Sequence, residues 1–185
     1  FIDSTKLFVC DNRRIYRHRV FKGIAQRGKT STGWFFGMKL HLIINDKGEL
    51  ISFRITPGNT DDRAVVEKMV QGLEGWLFAD KGYIGKKLSK LLFDNGIELI
   101  TRVKKNMKPQ FLDPIRKCWL DKRGIVETII DQLKAIFHIQ HTRHRSPTNF
   151  LANVLAGLMA YVLKPKKPSI SFVKNITQQL FLMSN

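Results

Sequence analysis

Four apolar residues run directly into a carboxylate in the stretch Trp76-Leu77-Phe78-Ala79-Asp80-Lys81-Gly82-Tyr83. An apolar run that ends at a turn signal predicts a strand buried on both faces, although a run this short also occurs in helices. Glycines at positions 72, 75, 82 and 85 favour the strand. Asp80 then lies where a central strand leaves the sheet, the edge at which open α/β folds place their chemistry. It is either a cap of the turn or a catalytic acid.

The charge balance of the 185-residue chain is strongly positive, with 32 Lys and Arg residues against 15 Asp and Glu residues and a net charge of +17. Such an excess favours a polyanionic partner, with nucleic acid first and an anionic membrane surface second. Ribosomal-type RNA-binding proteins share this property, so charge does not separate an enzyme from a non-catalytic binder. The length fits one domain, and 43% hydrophobic residues suffice for a core.

Several classes of protein are disfavoured by what the sequence lacks. Cys10 and Cys118 have no close Cys or His pair around them, which argues against a disulfide framework or zinc site and for a reducing compartment. The longest apolar stretch, residues 150–163, is too short to span a bilayer, and no signal peptide is visible. Because the sequence begins at Phe1, without Met and inside a predicted strand, we expect that an N-terminal part of the parent protein is missing.

The hydrophobic pattern predicts three strands followed by a helix, a strand, a helix and a strand. The predicted strands are residues 1–9, 34–44, 49–56, 76–80 and 97–103. The first helix, capped by Asn59 or Thr60, ends near Gly72, and the second covers residues 85–95. A meander followed by alternating helices and strands indicates a mixed sheet covered by helices. Residues 104–122 are predicted as a loop or irregular insertion, and further helices start at Arg123 and Pro147.

Residues 11–29 form a basic segment with a single acid, Asp11. Its pattern indicates an extended or loop conformation. Seven cations in nineteen residues repel one another unless an anion binds them, so we favour contact with a phosphate backbone over a solvated loop. The residues expected to make this contact include Arg13, Arg14, Arg17 and Arg19.

Three isolated carboxylates are candidates for one site: Asp3 on the first strand, Asp80 after the fourth, and Glu127 on the helix after the fifth. They converge if the first and fourth strands are neighbours and the helix packs across them. Such a trio suits two hard divalent cations, because Mg²⁺ takes oxygen ligands and leaves positions open for phosphates. Glu127 shares a helical stripe with Arg123, Asp131 and Lys134, a pattern that ordinary surface salt bridges also produce. Capping explains Asp61 and Asp62, and His41 is given no role.

The chain resembles the DDE transposases of bacterial insertion sequences, within the ribonuclease H-like superfamily. The resemblance extends from the Ile2-Asp3-Ser4 strand to about Pro168 and includes residues 34–41, 57–62 and 79–83. Its most specific part is Arg123-x3-Glu127-x6-Lys134, which looks like the Tyr-x2-Arg-x3-Glu-x6-Lys signature of these enzymes. Leu120 occupies the Tyr position, beside Trp119.

The resemblance implies an α/β fold with a ribonuclease H-like mixed five-stranded sheet flanked by helices, over residues 1–168, followed by a tail at 169–185. It implies Asp3, Asp80 and Glu127 as catalytic acids that bind Mg²⁺ or Mn²⁺, with two ions expected. Arg123 and Lys134 are expected to hold DNA phosphates. The implied reaction is cleavage of double-stranded DNA at the ends of the element and strand transfer into target DNA. A homodimer on DNA, no membrane partner and a cytoplasmic, nucleoid-associated location are also implied.

Two other functions stay open on the sequence. A ribonuclease H-like nuclease or resolvase would use the same acids without strand transfer. A non-catalytic basic nucleic-acid-binding module, such as an inactive transposon remnant, would bind with strong salt dependence and show no response to divalent metal.

Overall fold

The computed structural model describes residues 1–104, 106–107, 111–140 and 145–170. These residues form six strands and five α-helices. The strands are β1 Ile2–Cys10, β2 Gln26–Thr30, β3 Gly33–Ile44, β4 Leu50–Pro57, β5 Gly75–Ala79 and β6 Ile97–Thr101. The helices are α1 Val66–Met69, α2 Lys86–Asp94, α3 Pro114–Asp121, α4 Gly124–Ala135 and α5 Pro147–Leu163. Short 3₁₀ helices cover Asn12–Arg17, Asp62–Val65 and Lys81–Tyr83.

The long strand β3 organises a four-stranded antiparallel sheet. Its one edge pairs with β1, from Ile2 opposite Ile43 to Cys10 opposite Phe36, with a register shift after Phe8. Its other edge pairs first with β2 and then with β4, so these two strands share one edge of β3. Every residue of β3 from Phe35 to Ile44 is buried, as expected of a central strand covered on both faces.

A second sheet consists of β5 and β6, which pair in parallel from Gly75 opposite Ile97 to Ala79 opposite Thr101. Strand β1 contacts β5, but no ladder in the described residues joins the two sheets. The mixed α/β class is therefore confirmed, whereas a single five-stranded sheet is not: the ladders give sheets of four and two strands.

Helices cover both sides of the strands and create two hydrophobic cores. One core joins Leu40 and Leu42 of β3 to α4 and α5, and the other joins Ile43 to α1 and α2. Strand β5 contributes to both, because Phe78 belongs to the first core while Leu77 and Ala79 belong to the second. The expected burial of this strand on both faces is thus confirmed.

Two expected loops contain regular structure. Strand β2 lies within the basic segment, and its sequence Gln-Arg-Gly-Lys-Thr gives no apolar alternation because only Gly28 is buried. Helix α3 lies within the expected insertion 104–122; the Asp113 carboxylate caps it by accepting hydrogen bonds from the backbone N–H groups of Ile115 and Arg116. Both elements form through contacts that propensity alone does not reveal.

The helix expected to end near Gly72 is shorter than predicted and has a different cap. It consists of the 3₁₀ turn and α1, and Asp61 rather than Asn59 or Thr60 caps it by accepting from the Arg63 backbone N–H at 2.9 Å. Asp62 is more than a helix-start residue, because it pairs with the largely buried ammonium group of Lys39 at 3.0 Å.

The basic segment is anchored to the α5 side of the molecule. Phe21 is buried and packs edge-on against Phe150 of α5, with ring centroids 5.4 Å apart. The four arginines at 13, 14, 17 and 19 are exposed around the 3₁₀ turn and the turn that follows it. In the part of the chain that the structure describes, no helix is both long enough and apolar enough to cross a membrane.

His41 is a fully buried structural residue, in agreement with the sequence interpretation. Its Nε2 atom lies 2.8 Å from the Thr56 hydroxyl group, and its Nδ1 atom lies 3.6 Å from Asp62. Burial lowers the pKa of His41 to about 4, although the charge of Asp62 acts in the opposite direction.

Replacing Gly28 with Ala should destabilise the fold. A Cβ atom at this position would overlap the carbonyl oxygen of Gly58, which follows β4 along the same edge of β3. We expect the free energy of unfolding to fall by about 1–3 kcal/mol, the usual effect of overpacking, in a urea titration. Gly124→Ala is the control, because a Cβ atom there meets no atom within 4 Å. Equal stability of the two variants would contradict the packing assigned to β2.

Acid should weaken the fold through His41. The unfolded His41 side chain titrates near 6.5 and the folded one near 4, so the unfolded chain binds the extra proton as the pH falls between these values. The free energy of unfolding therefore falls with pH in this window. Relative to His41→Gln, the wild-type protein should lose roughly 1–2 kcal/mol between neutral pH and pH 5. Parallel pH profiles of the two proteins would show that His41 does not titrate in this way.

Candidate active site

Strand β1 places Asp3 on the side of the sheet that α4 covers. Asp3 pairs with Leu42 across the antiparallel ladder, and paired residues project to the same face. Leu42 is part of the core beneath α4 and α5. The Asp3 side chain is only 21% exposed, and its Oδ1 atom accepts a hydrogen bond from the backbone N–H of Ser4 at 2.8 Å.

One guanidinium group joins Asp3 to Glu127. Arg123, the residue before α4, donates from Nη1 to Asp3 Oδ2 at 3.0 Å and from Nη2 to Glu127 Oε1 at 2.6 Å. Arg123 and Glu127 are one helical turn apart, so the start of α4 sets both side chains against β1. The structure therefore brings two of the three predicted acids to one place, across 124 positions of sequence.

The surroundings of Asp3 act on its pKa in opposite directions. Burial raises the pKa of the Asp3 carboxyl group, and this is the largest effect. The Ser4 backbone N–H and the Arg123 guanidinium both lower it, and the charge of Glu127 raises it. A carboxylate in such a place is stabilised by a cation, because burying an unpaired charge is costly.

Asp80 directly follows β5 and stays exposed. It occupies the cap position of the 3₁₀ turn Lys81–Tyr83, but its side chain makes no capping hydrogen bond. The alternative that Asp80 is a side-chain cap of the turn is therefore wrong. The alternation of β5 would place Asp80 on the same side as Phe78, which is the α4 side, because residues two apart in a strand share a face.

Tyr83 is a residue that the sequence interpretation left without a role. It is buried on the opposite face of the sheet, within the core of α1 and α2. Burial raises the pKa of its hydroxyl group, and the negative charges of Asp62, Asp3 and Asp80 raise it further. The charges of both Asp3 and Asp80 thus affect the pKa of the Tyr83 hydroxyl group. The sequence signal that could have identified Tyr83 was its position three residues after Asp80, at the end of a predicted strand.

The three predicted acids do not form a finished metal site. Among the described residues, no group of three or more His, Cys, Asp or Glu side chains is arranged to hold a metal ion. The donor types nevertheless suit Mg²⁺ or Mn²⁺, because all three are carboxylates and hard cations prefer oxygen. A partly buried carboxylate that already binds a guanidinium group is also a place that accepts positive charge.

Lys134, the other predicted phosphate contact on α4, lies two turns beyond Glu127 and is partly buried. Burial lowers the pKa of its ammonium group, and the nearby charge of Lys6 lowers it further while Asp131 raises it. Lys6 itself donates a hydrogen bond to the hydroxyl group of Thr32, in the turn between β2 and β3. Two cations thus lie close together on the surface beside α4.

The predicted contacts Arg13, Arg14, Arg17 and Arg19 lie away from the acids, on the exposed surface of the basic segment. This surface also contains cations of β2 that stack on an aromatic ring. Arg27 lies 4.9 Å and Lys29 lies 5.7 Å from the ring centroid of Trp34, which is 53% exposed. Arg27 and Lys29 are two residues apart in the sequence, but only the pairing of β2 with β3 brings them to the Trp34 ring.

Comparison with known proteins gives a family for the chain. A family model described as Transposase DDE domain matches residues 1–147, which include all three predicted acids. Comparison with curated proteins and with solved structures gave no match. The family match covers most of the sequence, from β1 to the start of α5. The chain therefore belongs to the transposase DDE domain family.

Proposed function

We propose that this chain is the catalytic domain of a transposase that cleaves DNA at the ends of an insertion sequence and joins them to target DNA. The observation that carries the proposal is the Arg123 bridge between Asp3 on β1 and Glu127 on α4. The bridge unites an acid and an Arg-x3-Glu motif that are far apart in the sequence. Family membership supports transposition as the general function.

The two sheets support a ribonuclease H-like arrangement as part of this proposal. Strand β1 pairs with β3 and contacts β5, so the spatial order is β4, β3, β1, β5 and β6. A common place for Asp3 and Asp80 is supported by Tyr83, because the negative charges of both acids raise the pKa of its hydroxyl group. We assign residues 1–168 to this domain; of the 169–185 tail, residues 171–185 lie outside the described residues.

Asp3, Asp80 and Glu127 would hold two Mg²⁺ or Mn²⁺ ions in the active complex. Such ions, when bound, supply positive charge to the attacking and leaving oxygens of a phosphodiester. The chain's own residues orient the substrate. Arg123 and Lys134 contribute charged donors beside the acids, and Arg in particular matches the geometry of a phosphate group.

DNA binding is supported by the position of the basic segment. Phe21 fixes this segment to α5, and α5 lies on the same side of the sheet as Asp3 and α4. A duplex that contacts Arg13, Arg14, Arg17 and Arg19 would therefore extend over the side that carries the acids. We propose that the active form is a homodimer on paired DNA ends, in the nucleoid of a bacterial or archaeal cell.

A non-catalytic DNA-binding role is the second candidate, and the exposed cations favour it. Within the described residues, none of Arg13, Arg14, Arg17 and Arg19 forms an ion pair. These side chains would attract DNA whether or not the acids act. A nuclease without strand transfer is separated from a transposase by supplying DNA whose 3′ ends are already cut and measuring joining.

Neutralising the acids should abolish catalysis without abolishing DNA binding. We expect Asp80→Asn and Glu127→Gln each to reduce cleavage at least about 100-fold, since even the loss of outer-shell partners of a metal costs 10–100-fold. The assay measures Mg²⁺- or Mn²⁺-dependent cleavage and joining of plasmid DNA that carries the element with its flanking sequence. Asp94→Asn, at an exposed acid at the end of α2, is the control. Normal cutting by the Asp80→Asn, Glu127→Gln double variant would refute the assigned acids.

Removing the four arginines should reduce the salt dependence of DNA binding. Each phosphate contact contributes about 0.9 to the slope of log affinity against log salt, so replacement of all four with Ala should lower the slope by about 3–4. Binding to a labelled duplex is measured by anisotropy in EDTA at several salt concentrations. The control removes four exposed cations from α1 and α2, on the other side of the sheet: Lys68, Lys86, Lys87 and Lys90. Equal changes in slope would mean that binding follows net charge and not this surface.

A further inference from the structure

Arg123 occupies the space between two carboxylates that the proposed function assigns to metal binding. Its two terminal nitrogens contact one oxygen of Asp3 and one oxygen of Glu127. The second Asp3 oxygen accepts a hydrogen bond from the Ser4 backbone. The guanidinium group therefore faces the oxygens that are left for a cation.

A divalent ion that bridges the two acids needs the space between them that this guanidinium group fills. Mg²⁺ requires carboxylate oxygens at 2.0–2.1 Å in a near-octahedral arrangement. The Arg123 nitrogens stand directly in front of Asp3 Oδ2 and Glu127 Oε1, at 3.0 and 2.6 Å. An ion that bridges these two atoms must therefore displace the guanidinium group.

The charges make this exchange a balanced one. Arg123 supplies a single positive charge to two carboxylates, so the bridge leaves a net negative charge. A divalent ion neutralises the acids more completely and then repels the guanidinium group. Because Arg123 and Asp3 are only 19% and 21% exposed, solvent screens this competition less than it screens an ion pair on the surface.

The displaced side chain has an open route and a suitable partner. Glu127 is 57% exposed, so the bridge borders solvent on the α4 side. The Arg123 side chain starts at the residue before α4 and reaches that solvent by rotation about its own bonds. A DNA phosphate at this border offers two oxygens to the guanidinium fork.

We propose that Arg123 is an internal substitute for the metal: it neutralises Asp3 and Glu127 in the metal-free protein, and it transfers to a DNA phosphate when the divalent ion enters. The proposal rests on the proposed function and deepens it, because it assigns Arg123 two successive anionic partners. Metal loading and phosphate capture are then coupled through one side chain. The metal-free protein is protected from the repulsion of its own acids until both ligands arrive.

Removal of the guanidinium group should tighten metal binding. We expect Arg123→Ala to bind Mn²⁺ about three- to tenfold more tightly than the wild-type protein, titrated with MnCl₂ by calorimetry without DNA. In EDTA the Arg123→Ala variant should melt at a lower temperature than the wild-type protein, because Asp3 and Glu127 then repel each other. Mn²⁺ should remove this difference in melting temperature. Arg123→Lys should give an intermediate affinity, since an ammonium group cannot hold both carboxylates in a fork.

A matched charge control separates displacement from a general electrostatic effect. Arg102→Ala also removes one cation near the end of a strand, but that cation pairs with Asp121 and not with the predicted acids. Mn²⁺ affinity should change less than twofold in this variant. Equal gains in Arg102→Ala and Arg123→Ala would overturn the proposal.

Failure of this proposal is distinguishable from failure of the proposed function. If Mn²⁺ binds the wild-type protein and Asp80→Asn weakens that binding, the metal site stands. Unchanged or weaker Mn²⁺ binding by both Arg123→Ala and Arg123→Lys would then refute only the proposal that Arg123 takes the place of the metal. If Mn²⁺ binds none of these proteins, the proposed metal site is refuted, and the role of Arg123 as its substitute is refuted with it. Far-ultraviolet circular dichroism at low temperature confirms that each variant is folded.

Discussion

A partly buried carboxylate on β1 requires a positive charge, and this requirement links β1 to the start of α4. Asp3 meets it through Arg123, which comes from the start of α4 and also holds Glu127. A buried charge without a partner is strongly destabilising, whereas a bridged one specifies where its partners lie. The position of α4 over the sheet, and with it the position of the Arg-x3-Glu motif, is therefore linked to one residue of the first strand.

Burial on both faces gives this link a rigid frame. β3 and β5 have buried side chains on both faces, with α4 and α5 packed on one side and α1 and α2 packed on the other. The two sides carry different polar groups. Asp3, Arg123 and the basic segment lie with α4 and α5, whereas the His41, Lys39 and Asp62 network lies with α1 and α2. The side with the acids is thus the side that carries the exposed arginines of the basic segment.

The separation of charge along the chain also has a physical logic. Most cations of the basic segment are exposed and stabilised by solvent until a polyanion binds, whereas Arg123 is held between acids. Exposed cations give affinity and salt dependence, while an enclosed cation responds to local changes in charge. One excess of positive charge in the composition therefore separates into two environments once the chain folds, exposed in the basic segment and enclosed at Arg123.

Local patterns were sufficient for the α/β class, for β5 with Asp80 at its end, and for the Arg123-Glu127 stripe, because each depends on residues close in sequence. Asp3 was a candidate as an isolated acid in a predicted strand, and resemblance then grouped it with Asp80 and Glu127. Strand β2 and helix α3 were missed. The first forms only by pairing with β3, and the second depends on the Asp113 cap and on packing of Leu120 in the core. Residue propensity did not reveal them, because β2 has no apolar alternation and the signal for α3 is the Asp113 cap followed by Pro114.

The sequence by itself predicted the buried strands, the basic segment and the three candidate acids, because apolar periodicity, charge and motif spacing are local properties. Only the tertiary structure decided that the strands form ladders of four and two, that the Asp80 side chain does not cap its turn, and that Arg123 lies between Asp3 and Glu127. The physical reason is that ladder pairing and ion bridges depend on distances in space. Those distances are set when both faces of β3 and β5 are buried together.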